Sequence, residues 1–417
     1  MPTHPRTRLR GNGEGDGDHE QSQEGSQERG GGEGLESWCH GSWAGFFHRI
    51  TPLRAWNAGH PGPFLGIGVR FVCSRTPKLW GERRAPQRRG DDRSTKTVDD
   101  SFPRGFTVAK KTGAKPTKKV PLRRACGAMA AHMMLLEKYP AFRMNLMKLE
   151  GATSKRREAR FNLTDEAIVV IDTVVHVVYS NASENISDAQ IASQIEALTK
   201  DYRATNPDRS KVPTPWGGLV TDTRMSFKLV DVTRTATKVS GFTTDDAVKS
   251  AAGGGIAPVD TKTHLNLWVC PLTAGLLGYA QFPGGPPATD GVVINTAAFG
   301  TSGTATPPFN LGRTATHEVG HYFNLRHIWG DTPDCSGGDG VADTPNCEGP
   351  NYGAPVWPSI SCNNGPNGDM FVNYMDYVDD AAMFMFTAQQ VLRMRTALET
   401  VRSGLIAKPT AKARKKR

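Results

Sequence analysis

The feature that most constrains this chain is a cluster of three histidines and one glutamate between residues 317 and 327. Residues four apart on an α-helix share one face, so His317 and His321 can direct both imidazoles at a single zinc ion. Glu318 lies about 100° around the helix from His317. That offset suits a general base aimed at a zinc-bound water better than it suits a further ligand.

A third ligand is predicted just beyond the helix. Asn324 tolerates the left-handed conformation that turns a chain out of a helix, and the turn would return His327 to the metal. Three protein ligands leave a fourth position open for water, which distinguishes a catalytic zinc site from a structural one. The alternative is an ordinary helix with scattered histidines, which the placement of His327 after a turn-forming residue disfavours.

The 417 residues are unevenly organised, with 37% hydrophobic residues and a net charge of +10. Residues 1–122 and 407–417 are predicted to be a disordered or poorly structured basic extension and a basic tail, because they are too polar to form a core. Residues 123–160 begin as a predicted helix that Pro140 ends. They close with the basic stretch Ser154–Arg160, which we interpret either as a cleavable boundary of a pro-segment or as a plain charged linker. Residues 161–406 are the predicted compact domain.

Several partner classes are disfavoured by the composition. The basic runs lack interleaved aromatics and any nucleic-acid motif, so we expect no nucleic-acid partner. The most apolar run, Ala167–Val178, is short and contains Asp172 and His176, so no membrane span is predicted. No signal peptide is visible in the first forty residues, which have no apolar core.

Hydrophobic periodicity predicts strands around one early helix, followed by the zinc-binding helix and a C-terminal helix capped by Thr387 and Gln390. The pattern indicates an α+β domain with a twisted, mostly parallel sheet. Leu277, Gly278 and Tyr279 belong to an irregular glycine-containing stretch. In a protease it would be an edge strand that binds extended substrate, and otherwise a bulged edge strand without a ligand. The predicted strands are 167–179, 225–232, 264–270, 275–280 and 292–295, and the early helix is 188–203.

Cys126 has two interpretations. It is either a free cysteine or a disulfide partner of Cys39 or Cys73, or it is a thiolate that occupies the open zinc position and keeps a proenzyme inactive. The preceding arginines favour the thiolate.

The loop after the zinc motif is rich in aspartate and glycine. Its carboxylates, including Asp331, Asp339 and Asp343, suit either a calcium ion or simple solvation, because the spacing is not that of an EF-hand. Cys335 and Cys362 flank this loop and could close it with a disulfide.

The chain resembles the metzincin clan of zinc proteases and, within it, the pappalysin family. The zinc motif has Asn324 where many members have glycine, and Met375 matches the methionine of the Met-turn beneath the metal. The resemblance covers about residues 123–405. It rests further on the runs at residues 184–190, 275–284, 308–318, 369–377 and 385–387.

The resemblance implies a zinc endopeptidase that acts on protein or peptide substrates, with His317, His321 and His327 as ligands. It implies that Glu318 is general base and acid, and that Tyr377 supports the oxyanion while Met375 is structural. It also implies Cys126 as the zinc ligand of a latent form, because Arg124–Gly127 fits a family pro-segment element. It further favours Asp339 and Thr344 as calcium ligands, a Cys335–Cys362 pair, and secretion.

Substrate preference is predicted from Asp379 and Asp380, which follow the Met-turn and border the primed-side pocket in this clan. We expect arginine or lysine just after the cleaved bond, unless both aspartates are solvated or bind calcium. Two other functions compete with proteolysis. One is a latent zinc-binding protein that acts as a binding module through its basic N-terminal region. The other is a zinc hydrolase with a distant glutamate as third ligand, which His327 disfavours.

Overall fold

The computed structural model describes residues 123–159 and 167–406, which lie within the compact unit Val108–Arg417. The predicted basic extension 1–122, with Cys39 and Cys73, and the basic tail 407–417 fall outside the described residues. Within the described part, no helix is both long and apolar enough to cross a bilayer.

A five-stranded sheet forms the centre of the domain, with the strand order β2-β1-β3-β5-β4. All neighbouring strands are parallel except β4, which runs antiparallel to β5 at the edge of the sheet. The predicted mostly parallel sheet and the edge position of 275–280 are therefore confirmed. The strands are β1 Val169–Tyr179, β2 Met225–Ala236, β3 Leu265–Cys270, β4 Gly278–Ala280 and β5 Val292–Asn295.

The helices follow the predicted pattern in the domain but not before it. Ser187 caps the early helix by accepting a hydrogen bond from the Gln190 amide, and Thr387 and Gln390 form a complete capping box. The first predicted helix ends just before Pro140, as expected, but a second helix that was not predicted begins at this proline, where its missing N–H costs nothing. The helices are α1 Ala128–Lys138, α2 Pro140–Glu158, α3 Asp188–Tyr202, α4 Thr214–Gly217, α5 Arg313–Tyr322 and α6 Ala388–Glu399.

Helix α5, which carries the first two histidines, is buried along its whole length. It packs against α3 on one side and against β4 and β5 on the other. Its apolar residues Ala315, Val319 and Tyr322 join the main hydrophobic core. This packing holds the polar face of α5 in a fixed position beside the edge strand.

Cys335 and Cys362 form the expected disulfide, with an S–S distance of 2.09 Å. The bond closes the long loop between α5 and the Met-turn. Among the described cysteines, Cys126, Cys270 and Cys347 are not disulfide-bonded, and the last two are buried.

Candidate active site

The three predicted ligands converge as the motif requires. His317 and His321 project from α5, and Asn324 adopts the left-handed conformation with a φ of 76°, which turns the chain back toward His327. Each imidazole is held through Nδ1. His317 is bonded to the Tyr374 carbonyl at 2.7 Å and His321 to the Leu325 carbonyl at 2.8 Å.

The arrangement of the imidazoles fits a metal ion. Because a carbonyl accepts from Nδ1–H, the Nε2 atoms of His317 and His321 carry lone pairs, and burial holds the pKa of both histidines well below the usual range. The Nε2 atom of His321 lies 3.2 Å from that of His317 and 3.1 Å from that of His327. Two nitrogens bound to one tetrahedral zinc would be about 3.3 Å apart. A cation bound between these nitrogens would remove the repulsion between their lone pairs.

The third histidine has a carboxylate partner that sequence reasoning assigned elsewhere. Asp331 is bonded to His327 Nδ1, which fixes the orientation of the ring so that Nε2 faces the other two histidines. Trp329 stacks on the same ring at 4.4 Å with an interplanar angle of 3°. A carboxylate four residues after a ligand histidine is the signal that could have identified Asp331.

Cys126 completes the donor set. Its Sγ and one nitrogen of each histidine lie within 4.8 Å of one another. The thiol is 3.3 Å from Glu318 Oε2. Burial, and to a smaller extent the negative charge of Glu318, raises the pKa of the Cys126 thiol. Arg124, the nearer of the two preceding arginines, is bonded to Asp380, and the expectation that arginines favour a Cys126 thiolate stays a prediction.

Glu318 lies between the histidines and the edge strand. Burial raises the pKa of Glu318 to about 8, against the opposing effects of the hydrogen bond to Cys126 and the charge of Arg124. A Cβ atom at Gly278 would lie 2.8 Å from Glu318 Cγ, so only glycine lets β4 approach the carboxylate so closely.

The Met-turn forms the floor of the site. Met375 is fully buried, and a Cβ at Gly320 would lie 2.5 Å from its Sδ, so the turn packs directly on α5. The Tyr377 ring is 4.9 Å from the His327 ring. Burial raises the pKa of Tyr377, which keeps its hydroxyl protonated as a donor.

The segment around Cys126 lies along β4. The Leu277 amide donates to the Ala125 carbonyl at 2.9 Å, and the Gly127 amide donates to the Gly278 carbonyl at 2.8 Å. Cys126 and Gly278 thereby form a parallel bridge. The Tyr279 side chain is fully buried in a core cluster that also includes Ala131 of α1.

Arg124 fills a buried pocket formed by the predicted specificity region. Its guanidinium donates to Asp380 Oδ1 at 2.6 Å, to the Val378 carbonyl at 3.1 Å and to Thr314 Oγ1 at 3.1 Å. Asp380 is fully buried, whereas Asp379 is partly exposed and its amide donates to the Gly353 carbonyl. The structure therefore separates the two aspartates, and only Asp380 contacts a basic side chain through its carboxylate.

With this geometry established, the comparisons with known proteins decide the family. Residues 264–399 match the family model described as peptidase M43, pregnancy-associated plasma protein-A. An extracellular metalloprotease of Arthroderma otae is 34% identical over 254 residues, which are 59% of this chain and 83% of the relative. An extracellular metalloprotease of Arthroderma benhamiae is 32% identical over 287 residues, which are 67% of this chain and 92% of the relative. The chain belongs to the pappalysin family.

Solved structures of similar proteins agree with this assignment. Mature mirolysin of Tannerella forsythia, in complex with a cleaved peptide, is 45% identical over 58% of this chain and 96% of its own, with a TM-score of 0.56. A promirolysin variant from the same organism is 40% identical, covers 68% of this chain and 97% of its own, and has a TM-score of 0.62. The pappalysin fold is thus of the metzincin type, and the protein is a metalloendopeptidase.

The carboxylates predicted to bind calcium in this pappalysin have protein partners. Asp339 accepts hydrogen bonds from the Val341 amide at 3.0 Å and from Thr344 Oγ1 at 2.8 Å. Burial raises the pKa of Asp339 to about 7. Asp343 accepts from Thr387 Oγ1 at the start of α6. A calcium ion held by Asp339 and Thr344 stays a prediction.

A second contact region joins residues 123–159 to the pappalysin domain. Glu150 on α2 accepts hydrogen bonds from both terminal nitrogens of Arg393, at 2.9 and 2.6 Å, and from Asn324 at 3.1 Å. The basic stretch from Ser154, predicted to be a cleavable boundary or a charged linker, is helical to Glu158, and its Arg156 pairs with Glu399 on α6. Sequence reasoning missed Glu150, which lies in no recognisable motif.

Proposed function

We propose that this protein is the latent proenzyme of a secreted zinc endopeptidase, with residues 123–160 as its pro-segment. The observation that carries the proposal is the convergence of Cys126 Sγ on the three histidine nitrogens. A thiolate and three imidazoles form a closed tetrahedral zinc site, which leaves no position for water. The protein with the pro-segment bound would then be inactive.

The same residues explain activity once Cys126 leaves. Zinc held by His317, His321 and His327 would polarise the peptide carbonyl and lower the pKa of water in the site. Glu318 then takes a proton from the attacking water and passes it to the leaving amine. The Tyr377 hydroxyl donates a hydrogen bond to the oxygen on which negative charge develops.

The course of the pro-segment supports latency by occlusion. Its backbone pairs with β4 at Leu277 and Gly278, which are the groups that an extended substrate would use. The likeness to promirolysin covers 68% of this chain, against 58% for mature mirolysin. Secretion is supported by the names of the fungal relatives and by the Cys335–Cys362 disulfide, which persists in oxidising compartments.

Removal of the pro-segment tests this function. Cleavage of the full chain within residues 154–166, followed by separation of the fragments, is expected to release peptidase activity that a zinc chelator abolishes and added zinc restores. Hydrolysis of a quenched fluorescent protein substrate measures it. A cleaved, zinc-loaded protein that hydrolyses no substrate would instead favour a zinc-binding module that acts through its basic N-terminal region.

Asp380 is proposed to select a basic residue just after the cleaved bond. Arg124 shows that a guanidinium fits this pocket, and a hydrogen bond from a charged group to a buried carboxylate contributes about 1.5–3 kcal/mol. Asp380→Asn in the activated protein is therefore expected to lower the preference for arginine over norleucine at this position about 10- to 100-fold. Digestion of a peptide library measures the preference.

Asp379→Asn is the matched control for Asp380. Asp379 directly precedes Asp380 in the chain but is partly exposed. The Asp379 variant should therefore keep most of the preference for a basic residue just after the cleaved bond. Loss of the preference in the Asp379 variant alone would transfer the role from Asp380 to Asp379.

A further inference from the structure

A second basic side chain of the pro-segment is held beside the Asp380 pocket by a different kind of contact. The guanidinium of Arg123 lies over the ring of Tyr352, with its carbon 4.7 Å from the ring centroid. Arg123 directly precedes Arg124, whose guanidinium is bonded to Asp380. Two consecutive arginines are thus held in two ways, one by a buried carboxylate and the other by an exposed aromatic face.

Tyr352 is fixed in place by the two residues that flank it. The Asn351 amide donates to Asp376 Oδ1 at 2.9 Å, just after the Met-turn methionine. Gly353 forms a parallel bridge with Val378, and the Val378 carbonyl accepts from Arg124 Nε. The loop that carries Tyr352 is therefore part of the wall of the Asp380 pocket.

The ring of Tyr352 is also continuous with the catalytic site. Its centroid lies 6.0 Å from that of Tyr377, which packs on the ligand His327. Tyr352 remains 37% exposed with Arg123 over it, so the ring forms a platform at the surface of the cleft and is not a core residue. A cation–π contact retains part of its strength at such a partly exposed position.

We propose that Tyr352 forms a second specificity subsite, which binds a cationic side chain at the second position after the cleaved bond. The proposal rests on the function above, in which Asp380 binds the first position. In an extended chain adjacent side chains point to opposite sides. A substrate with its first basic side chain in the Asp380 pocket therefore directs the next one, away from the metal, toward the place where Arg123 meets Tyr352. Substrates with two consecutive basic residues after the cleaved bond would be preferred.

Peptide hydrolysis by the full chain, activated by cleavage of its pro-segment, tests the subsite. The peptides carry arginine at the first position after the cleaved bond and either arginine or norleucine at the second, so that charge is varied at similar length. We expect kcat/KM to favour arginine about two- to fivefold in the parent and in Tyr352→Phe, which keeps an aromatic ring. The ratio should fall to about one in Tyr352→Leu. Val356→Ala, an 86% exposed position in the same loop, should keep the parental ratio.

A second measurement does not require activity. In the uncleaved full chain, the rate at which iodoacetamide alkylates Cys126, followed on its own peptide by mass spectrometry, reports release of the segment from the cleft. Tyr352→Leu and Arg123→Ala should each raise this rate by a similar factor of about two to five. The double variant should alkylate no faster than either single variant, because both remove the same contact.

The outcomes separate the subsite from the underlying function. The subsite is overturned if kcat/KM for arginine over norleucine at the second position is near one in the parent, or if Tyr352→Leu keeps the parental ratio. Either result would overturn it even if Asp380 still selects a basic residue at the first position. If the double variant raises the Cys126 alkylation rate by the product of the two single-variant factors, the contact between Arg123 and Tyr352 is overturned. Absence of hydrolysis of every peptide by the activated, zinc-loaded chain overturns the proposed function itself, and the subsite with it.

Discussion

Replacing Glu318 with glutamine is expected to lower peptide hydrolysis by the activated protein about 10²- to 10⁴-fold, the usual contribution of a general acid–base group. Glutamine keeps the shape of the side chain beside Gly278 but cannot take a proton from water. The three histidines are held by Tyr374, Leu325 and Asp331 and not by Glu318, so zinc should stay bound at one ion per chain. Hydrolysis rates and metal content by mass spectrometry measure the two effects.

A surface variant serves as the control for Glu318. Glu196→Gln removes a carboxylate on the exposed face of α3, where it pairs with Lys200 four residues later. This change should leave both hydrolysis and zinc content near the parental values. Full hydrolysis by the purified Glu318 variant would remove Glu318 from the mechanism, and loss of zinc would reassign it to metal binding.

Replacing Cys126 with serine is expected to raise the activity of the uncleaved protein about tenfold or more, which corresponds to about 1.4 kcal/mol of weaker pro-segment binding. A hydroxyl is a poorer zinc ligand than a thiolate, so the pro-segment loses its contact with the open position. The effect should stop short of full activity. Arg124 remains bound to Asp380 and Glu150 remains bound to Arg393.

The control for Cys126→Ser is the double variant with Glu318→Gln. It should be as inactive as the single glutamate variant, which shows that the released activity comes from this site. Because hydrolysis could also remove the pro-segment during the assay, intact chain length is checked by electrophoresis at each time point. An intact Cys126→Ser protein as latent as the parent would show that the thiol does not block the zinc.

The two contact regions of the pro-segment suggest an order of release. The cleft contacts at Cys126 and Arg124 involve single side chains in buried sites. The α2 contacts at Glu150 and Arg156 bind α6, and Glu150 also binds Asn324 in the turn after α5. A cut in residues 154–158 would interrupt α2 and weaken the second region first. The cleft contacts would then be held by α1 and the residues around Cys126 that precede it.

Much of the fold and part of the site followed from the order of residues. Local rules sufficed for the zinc helix, because the i, i+4 spacing of His317 and His321 and the turn at Asn324 depend only on backbone geometry. The capped helices and valine-rich strands were predictable for the same reason. Pro140 correctly marked the end of α1, but the start of α2 was missed, because a proline can both end one helix and begin the next.

Only the tertiary structure decided which side chains meet across long stretches of chain. Arg124 and Asp380 are 256 residues apart, and Glu150 and Arg393 are 243 apart, so no periodicity links them. The structure also separated Asp380 from Asp379 and moved Asp331 from the candidate calcium ligands to His327. Sequence determined the chemistry of the histidine motif because that chemistry lies within two helical turns and one loop. The pro-segment contacts and the Tyr352 platform depend on packing between distant elements, which spacing along the chain does not encode.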